Sequence, residues 1–290
     1  MKVLVTGARG QLAQSLAERS AAFPGIELIA VGRPELDLER PRSVERIISS
    51  FAPGFVINAA AYTAVDEAER EPDRAFRFNA QAPGEVAAAA GQAGAAVIQL
   101  STDYVFDGTA EQPYDETAAP KPLNVYGKSK LAGEEAVRSA NPRHVIVRTA
   151  WIYSPFGKNF VKTMTAAACS RDRVTVVDDQ LGTPSSALDL ADGLLRMIEA
   201  GPSFGQTYHL AGTGQTSWYG LAVAIMDECR KRGLPAAEVQ PIASSDWPTL
   251  ARRPANSALN SCKFERDFGY SLPRWQDSLA QVIERLSQLG

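Results

Sequence analysis

Histidine and cysteine are scarce in this chain: two of the former, His144 and His209, and three of the latter, Cys169, Cys229 and Cys262, in 290 residues. The cysteines are odd in number and far apart, and no CxxC occurs, so neither a disulfide framework nor a zinc site is indicated. Both histidines sit inside apolar, strand-like runs, the setting of core or edge residues. Also missing is an excess of positive charge. Thirty Lys and Arg against 33 Asp and Glu leave a net charge of −3, which points away from nucleic acid and from an anionic membrane surface. A small anionic substrate is not excluded, because it needs only a local cationic pocket. No apolar run approaches the ~20 residues of a membrane helix. The N-terminus runs from Met1 straight into a strand and a glycine turn, without the apolar core and small-residue cleavage site of a signal peptide. These absences lead us to expect a cytoplasmic globular protein, long enough for one large domain or two unequal ones.

What is present is an alternation of short β-rich runs with helical ones. Strands are expected at Lys2–Thr6, Glu27–Val31, Phe55–Ala60, Ala96–Ser101 and His144–Thr149, and helices at Gln11–Ala21, Pro41–Phe51, Asn79–Ala93 and Val125–Ala140. The strands are nearly continuous apolar runs, as in strands buried on both faces by helices. Such alternation implies right-handed βαβ units, hence an α/β fold with a doubly wound (Rossmann) parallel sheet. After Trp151 the pattern loosens. Helices are expected at Asn159–Ser170, Ser186–Ala200, Ser217–Arg232 and Leu272–Leu289, strands at Val174–Val177 and Thr207–Ala211, and an irregular stretch from Pro241 to Leu259. The expected division is a dinucleotide-binding domain of residues 1–153 plus about 186–214 and a smaller C-terminal α/β substrate lobe of about 154–185 plus 215–290.

Three motifs carry chemistry. Gly7-Ala8-Arg9-Gly10-Gln11-Leu12-Ala13 follows the first strand and opens a helix. Glycines let the backbone turn tightly and approach a diphosphate, and the helix N-terminus offers it unpaired N–H groups. The spacing is GxxGxxA rather than the usual GxGxxG. At the end of the second strand, Gly32 and Arg33 stand where an NAD-selective site would have an acid for the ribose 2′-hydroxyl. Arg33 either reads a 2′-phosphate or is a solvated loop charge; Asp37 and Leu38 could flank the adenine. In Asn124-Val125-Tyr126-Gly127-Lys128-Ser129-Lys130, Tyr126 and Lys130 are i,i+4 on one helical face. A nearby ammonium would lower the phenol's pKa. Ser101-Thr102-Asp103, at the C-terminal end of the fourth strand, joins them where open α/β sheets bind ligands.

These motifs, with Asn58-Ala59-Ala60, Ser101-Thr102-Asp103-Tyr104-Val105-Phe106, Arg148-Thr149-Ala150-Trp151-Ile152-Tyr153 and Arg253-Pro254-Ala255-Asn256-Ser257, resemble the extended short-chain dehydrogenase/reductases, and among them the dTDP-4-dehydrorhamnose reductase family. The resemblance spans essentially the whole chain. Ala13 stands where many relatives have a third glycine. The resemblance implies reduction of the C4 keto group of dTDP-4-dehydro-β-L-rhamnose by NADPH or NADH, NADPH being favoured. It implies Thr102, Tyr126 and Lys130 as the catalytic set. A cofactor site is implied at Gly7, Gly10, Gln11, Leu12, Arg33, Asp37, Leu38, Ala59, Ala60, Ala61, Asn79 and Ser101, with Tyr126 and Lys130. A dTDP-linked sugar would meet Thr102, Asp103, Tyr104, Trp151 and Arg253, though Arg252 could serve in place of Arg253 and Trp151 could be a plain core residue. A metal bridges dimers in part of the family, but its acidic ligands do not map here, so no metal is expected; the chain is expected to be a monomer or homodimer. Two rivals stay open. One is another sugar-nucleotide reductase, epimerase or dehydratase, the last wanting an acid beside the threonine, where Asp103 stands. The other is a non-catalytic regulatory subunit on the same fold.

Overall fold

The computed structural model describes residues 1–288. Its first half runs β1 (Lys2–Thr6), α1 (Gln11–Arg19), β2 (Glu27–Val31), α2 (Pro41–Phe51), β3 (Phe55–Asn58), α3 (Val65–Arg70), α4 (Pro72–Phe76), α5 (Ala82–Gln92), β4 (Ala96–Thr102), α6 (Val125–Ala140) and β5 (His144–Thr149). The second half runs β6 (Ile152–Tyr153), α7 (Phe160–Ala168), β7 (Arg173–Val177), β8 (Leu181–Gly182), β9 (Ser185–Ser186), α8 (Ala187–Ala200), β10 (Gln206–His209), β11 (Thr216–Ser217), α9 (Trp218–Lys231), β12 (Glu238–Ile242), α10 (Cys262–Phe268) and α11 (Trp275–Ser287). The last expected helix starts three residues later than its apolar pattern, at Trp275, and its expected end at Leu289 lies outside the described residues.

Six strands form one parallel sheet in the order β10-β5-β4-β3-β1-β2. The order reverses between β1 and β3, and that switch point opens a crevice beyond the carboxyl ends of those two strands. Successive side chains of a strand point to opposite faces. Val3, Val5, Ile57, Ile98 and Val147 pack on one side with Leu12 and Leu16 of α1 and Leu190 and Leu194 of α8. Leu4, Val56, Val97 and Ile146 pack on the other with Val44 and Ile48 of α2, Val86 of α5 and Val137 of α6. Both faces are therefore core, which is why these strands read as unbroken apolar runs. Each fully buried side chain of this size contributes about 1.5–3 kcal/mol.

The later part of the chain has its own small core, in which α7, α9 and α11 pack through Val161, Leu221, Ile225, Leu279 and Ile283. Strands β7 and β12 pair in parallel beside it. β10 joins the main sheet next to β5, and α8 and α10 cover the face carrying α1, with Phe264 in the main core. Among the described residues no helix is long and apolar enough to cross a membrane.

Candidate active site

The crevice is a cleft of about 490 Å³ that begins at the glycine turn after β1 and ends against α6. Gly7 has φ +82°, and a Cβ there would lie 3.2 Å from Cα and Cβ of Ala60. Gly10 comes as near its neighbour, a Cβ there falling 3.1 Å from the Gly7 carbonyl oxygen. The turn after β1 and the alanines after β3 thus meet with no room for side chains, leaving backbone to line the crevice. The start of α1 has no side-chain cap, so its first N–H groups face the crevice with the helix dipole behind them. A dinucleotide diphosphate fits this cradle.

The cleft brings together Gly7, Gly10, Gln11, Leu12, Arg33, Asp37, Leu38, Ala59, Ala60, Ala61, Ser101, Tyr126 and Lys130. Asn79 does not line it. Its side chain bonds both the N–H (2.8 Å) and the carbonyl (2.9 Å) of Tyr62 and donates to Ser129 Oγ at 3.0 Å, so it braces the loop after β3 against α6 from behind. Gln11 does more than line the cleft: its Oε1 accepts from Ser154 Oγ and Asn159 Nδ2, both at 2.9 Å. These bonds hold the segment carrying Gly157 and Lys158 over the opening. Lys158 and Thr63 also line the cleft, and Lys158 follows the turn residues Ser154-Pro155-Phe156-Gly157, a turn signal that by itself gives it no role.

At the inner end the catalytic candidates converge because two local features agree. Asn124 caps α6, its Oδ1 accepting from Gly127 N at 2.8 Å, which starts the helix one residue before Tyr126. Gly127 packs so closely on the turn after β4 that a Cβ would lie 2.1 Å from the Tyr104 carbonyl oxygen. Only glycine lets α6 approach this near, and the approach sets Tyr126 edge-on to Tyr104, ring centroids 5.9 Å apart. Burial raises the Tyr126 hydroxyl to about 12, with the neighbouring Thr102 hydroxyl opposing the rise and the Asp103 charge adding to it.

Lys130 is buried and donates to the Leu100 carbonyl at 2.6 Å. Burial lowers it to about 8, opposed by the charge of Glu134. The lowering of the tyrosine pKa expected from a neighbouring ammonium is absent in the chain by itself, where burial prevails and the ammonium is turned to Leu100. Glu134, one helical turn beyond Lys130, is 0% exposed. It accepts from Arg148 Nε (2.9 Å) and Nη2 (2.8 Å), Ser101 Oγ (2.6 Å) and Arg138 Nη2 (3.2 Å). Burial alone would raise its carboxyl, but the hydrogen bond and charge of Arg148, with Ser101 and Arg138, hold it below its ordinary value. Its i,i+4 spacing from Lys130 was a signal the sequence reading could have used.

The remaining candidates lie toward the later part of the chain. Trp151 leaves β5 with φ 46°, a strained conformation for a bulky residue. Its ring stacks on Trp218 at 3.6 Å and covers Gly182, where a Cβ would fall 2.4 Å from the indole. A second cavity of about 1170 Å³ opens between α7, the β7–β12 pair and the 244–253 segment, with Arg171, Arg252, Arg253 and Asp66 on its wall. Arg253 forms a two-pronged pair with Asp66, at 2.8 and 3.3 Å, and lies beside the Tyr104 side chain. Asp66 lies 187 positions away in sequence.

Comparison with known proteins identifies the family. The model of the family described as RmlD substrate binding domain matches residues 1–288. A dTDP-4-dehydrorhamnose reductase of Sinorhizobium fredii is 43% identical over 291 residues, covering 98% of this chain and 97% of the relative. The chain belongs to the dTDP-4-dehydrorhamnose reductase family. The family's crystal structure from Clostridium acetobutylicum superposes with a TM-score of 0.92 at 39% identity, over 99% of this chain and 100% of that one. The family's structure from Bacillus anthracis, in complex with NADP, superposes with a TM-score of 0.92 at 33% identity, over 98% and 99% of the two chains.

Proposed function

We propose that this chain reduces the C4 keto group of dTDP-4-dehydro-β-L-rhamnose to give dTDP-β-L-rhamnose, with NADPH or NADH as reductant and NADPH used at least as well. One observation carries the reading. The Tyr126–Lys130 helix face and Ser101 meet at the inner end of a glycine-floored cleft, with Thr102 beside Tyr126, in a chain 43% identical over its length to a reductase of that substrate.

When bound, the reduced cofactor supplies the hydride. Tyr126 is the general acid that gives its proton to the developing alkoxide oxygen. Thr102 donates a hydrogen bond to the same oxygen, stabilising charge where it appears. Lys130, cationic at neutral pH with a pKa of about 8, holds the cofactor ribose. Arg253, with Arg171 and Arg252 on the same wall, meets the substrate diphosphate. Trp151, held by its stack on Trp218, walls the sugar. In this reading the first 153 residues with about 186–214 bind the cofactor and the remainder binds the sugar nucleotide. The reaction runs in the cytoplasm on a monomer or homodimer.

Tyr126→Phe removes one hydroxyl and keeps the ring against Tyr104. Its kcat is expected to fall roughly 10²- to 10⁴-fold, with NADPH affinity and Tm little changed. A variant that folds, binds NADPH and keeps more than about a tenth of wild-type kcat would remove Tyr126 from its role.

A further inference from the structure

A threonine hydroxyl has one proton to donate and two lone pairs with which to accept. Thr102 is 6% exposed, and Tyr104 N donates to its Oγ1 at 3.2 Å. The same Oγ1 lies 2.9 Å from Asp103 Oδ1. Asp103 is 3% exposed, and its Oδ2 is buried without a hydrogen-bond partner among the described residues. The direction of the Thr102–Asp103 bond therefore follows from chemistry. An ionised carboxylate can only accept, which commits the single Thr102 proton to Asp103. A neutral carboxyl can donate to Thr102 instead, and its proton together with Tyr104 N then fills both lone pairs. The Thr102 proton is left to point elsewhere, toward Tyr126 and the reacting oxygen.

We infer that Asp103 is a positioning residue that gates Thr102, whose proton reaches the substrate carbonyl oxygen only while the Asp103 carboxyl is neutral. The inference rests on the proposed role of Thr102 as a donor to that oxygen. The groups facing the carboxyl are consistent with a neutral form. From α6 comes the Tyr126 phenol, with Lys130 turned away onto Leu100. From the turn after β4 comes the Tyr104 phenol. From the C-terminal segment come the Ser257 hydroxyl and Arg253, which is engaged by Asp66 and Tyr104. Burial raises the carboxyl to about 6, against hydrogen bonds from Ser257 and Thr102. With a raised value, the neutral form prevails below about pH 6 and is lost as pH rises through it.

The test is kcat/KM against pH, from about 5 to about 9, for the wild type with NADPH and dTDP-4-dehydrorhamnose and for two variants. The wild type is expected to show a falling limb with its midpoint near 6, losing about tenfold per pH unit above it. Asp103→Asn replaces the titrating carboxyl with an amide, whose N–H can donate to Thr102 at every pH, so this limb should vanish and only a later one, from Lys130 near 8, should remain within the range. Ser257→Ala removes a hydroxyl beside the carboxyl that favours its ionised form, so the limb should move to higher pH. An Asn variant that keeps the limb at the wild-type midpoint, or an active wild type without the limb, overturns the inference. If the Asn variant fails to fold, Ser257→Ala decides: a midpoint moved upward supports the gate and an unmoved one overturns it. A wild type that oxidises no NADPH with this substrate sinks the reading on which the inference rests, and is distinguishable from both results.

Discussion

Arg33 and Glu134 are both charged, and their surroundings give them opposite tasks. Glu134 is enclosed and neutralised by Arg148 and Arg138, so its charge is spent inside the protein, fixing Ser101 and supporting the protonated form of Lys130. Arg33 is exposed at the mouth of the cleft, beside Gly32 and Asp37. A planar guanidinium there suits a 2′-phosphate through a two-pronged contact. Arg33→Ala should weaken NADPH binding roughly tenfold or more and leave NADH binding nearly unchanged, as measured by titration of each cofactor. Equal losses for the two cofactors would show that Arg33 does not read the phosphate. Asp37, which shares this end of the cleft, accepts from Glu39 N at 3.1 Å and stands 3.8 Å from Arg40, so its carboxylate is drawn toward its own turn.

At the scale of elements, the site depends on how near α6 comes to the turn after β4. Gly127→Ala would put a methyl group against the Tyr104 carbonyl, a backbone atom that cannot swing aside. Overpacking of this kind costs about 1–3 kcal/mol. The variant should lose several degrees of Tm and a larger share of kcat than of NADPH affinity, because α6 carries Tyr126 while the glycine turn lies at the other end of the cleft. Unchanged turnover would show that the close approach does not set the Tyr126 geometry. The elements with strong patterns were readable from sequence: β1, β2, α2, α6 and β5 have the ends their residues imply. Others were not. α3 is Val65–Arg70, six residues with three acids and only Ala68 buried, so it has no apolar stripe to detect. α10 is seven residues long with one buried side chain, Phe264. The stretch read as irregular from Pro241 overlaps the end of β12, which pairs with β7 through its backbone although it contains a proline. In the site the same rule holds. Tyr126, Lys130 and Thr102 stand in local motifs that can be read from the sequence. Asp66, Gln11's hold on Asn159 and Ser257's approach to Asp103 come from contacts across 143 or more positions, and only the fold brings these together.

Across the whole molecule, the central claim concerns two openings. One is floored by glycines and ends at Tyr126 and Lys130; the other is walled by arginines behind Trp218. A reductase needs a cofactor cleft and a site for an anionic sugar nucleotide, with the reacting carbon at their junction. Rival chemistries on the same scaffold would use the cleft differently, since epimerases and dehydratases recycle the cofactor while a reductase consumes it. The most direct measurement is NADPH oxidation by the purified chain against a panel of dTDP-, UDP- and GDP-linked 4-keto sugars, with identification of the product. The account predicts stoichiometric NADPH consumption with dTDP-4-dehydro-β-L-rhamnose, dTDP-β-L-rhamnose as the product, and weaker turnover of the UDP and GDP analogues. Turnover without net NADPH consumption, or firm NADPH binding with no turnover of any member of the panel, would contradict it.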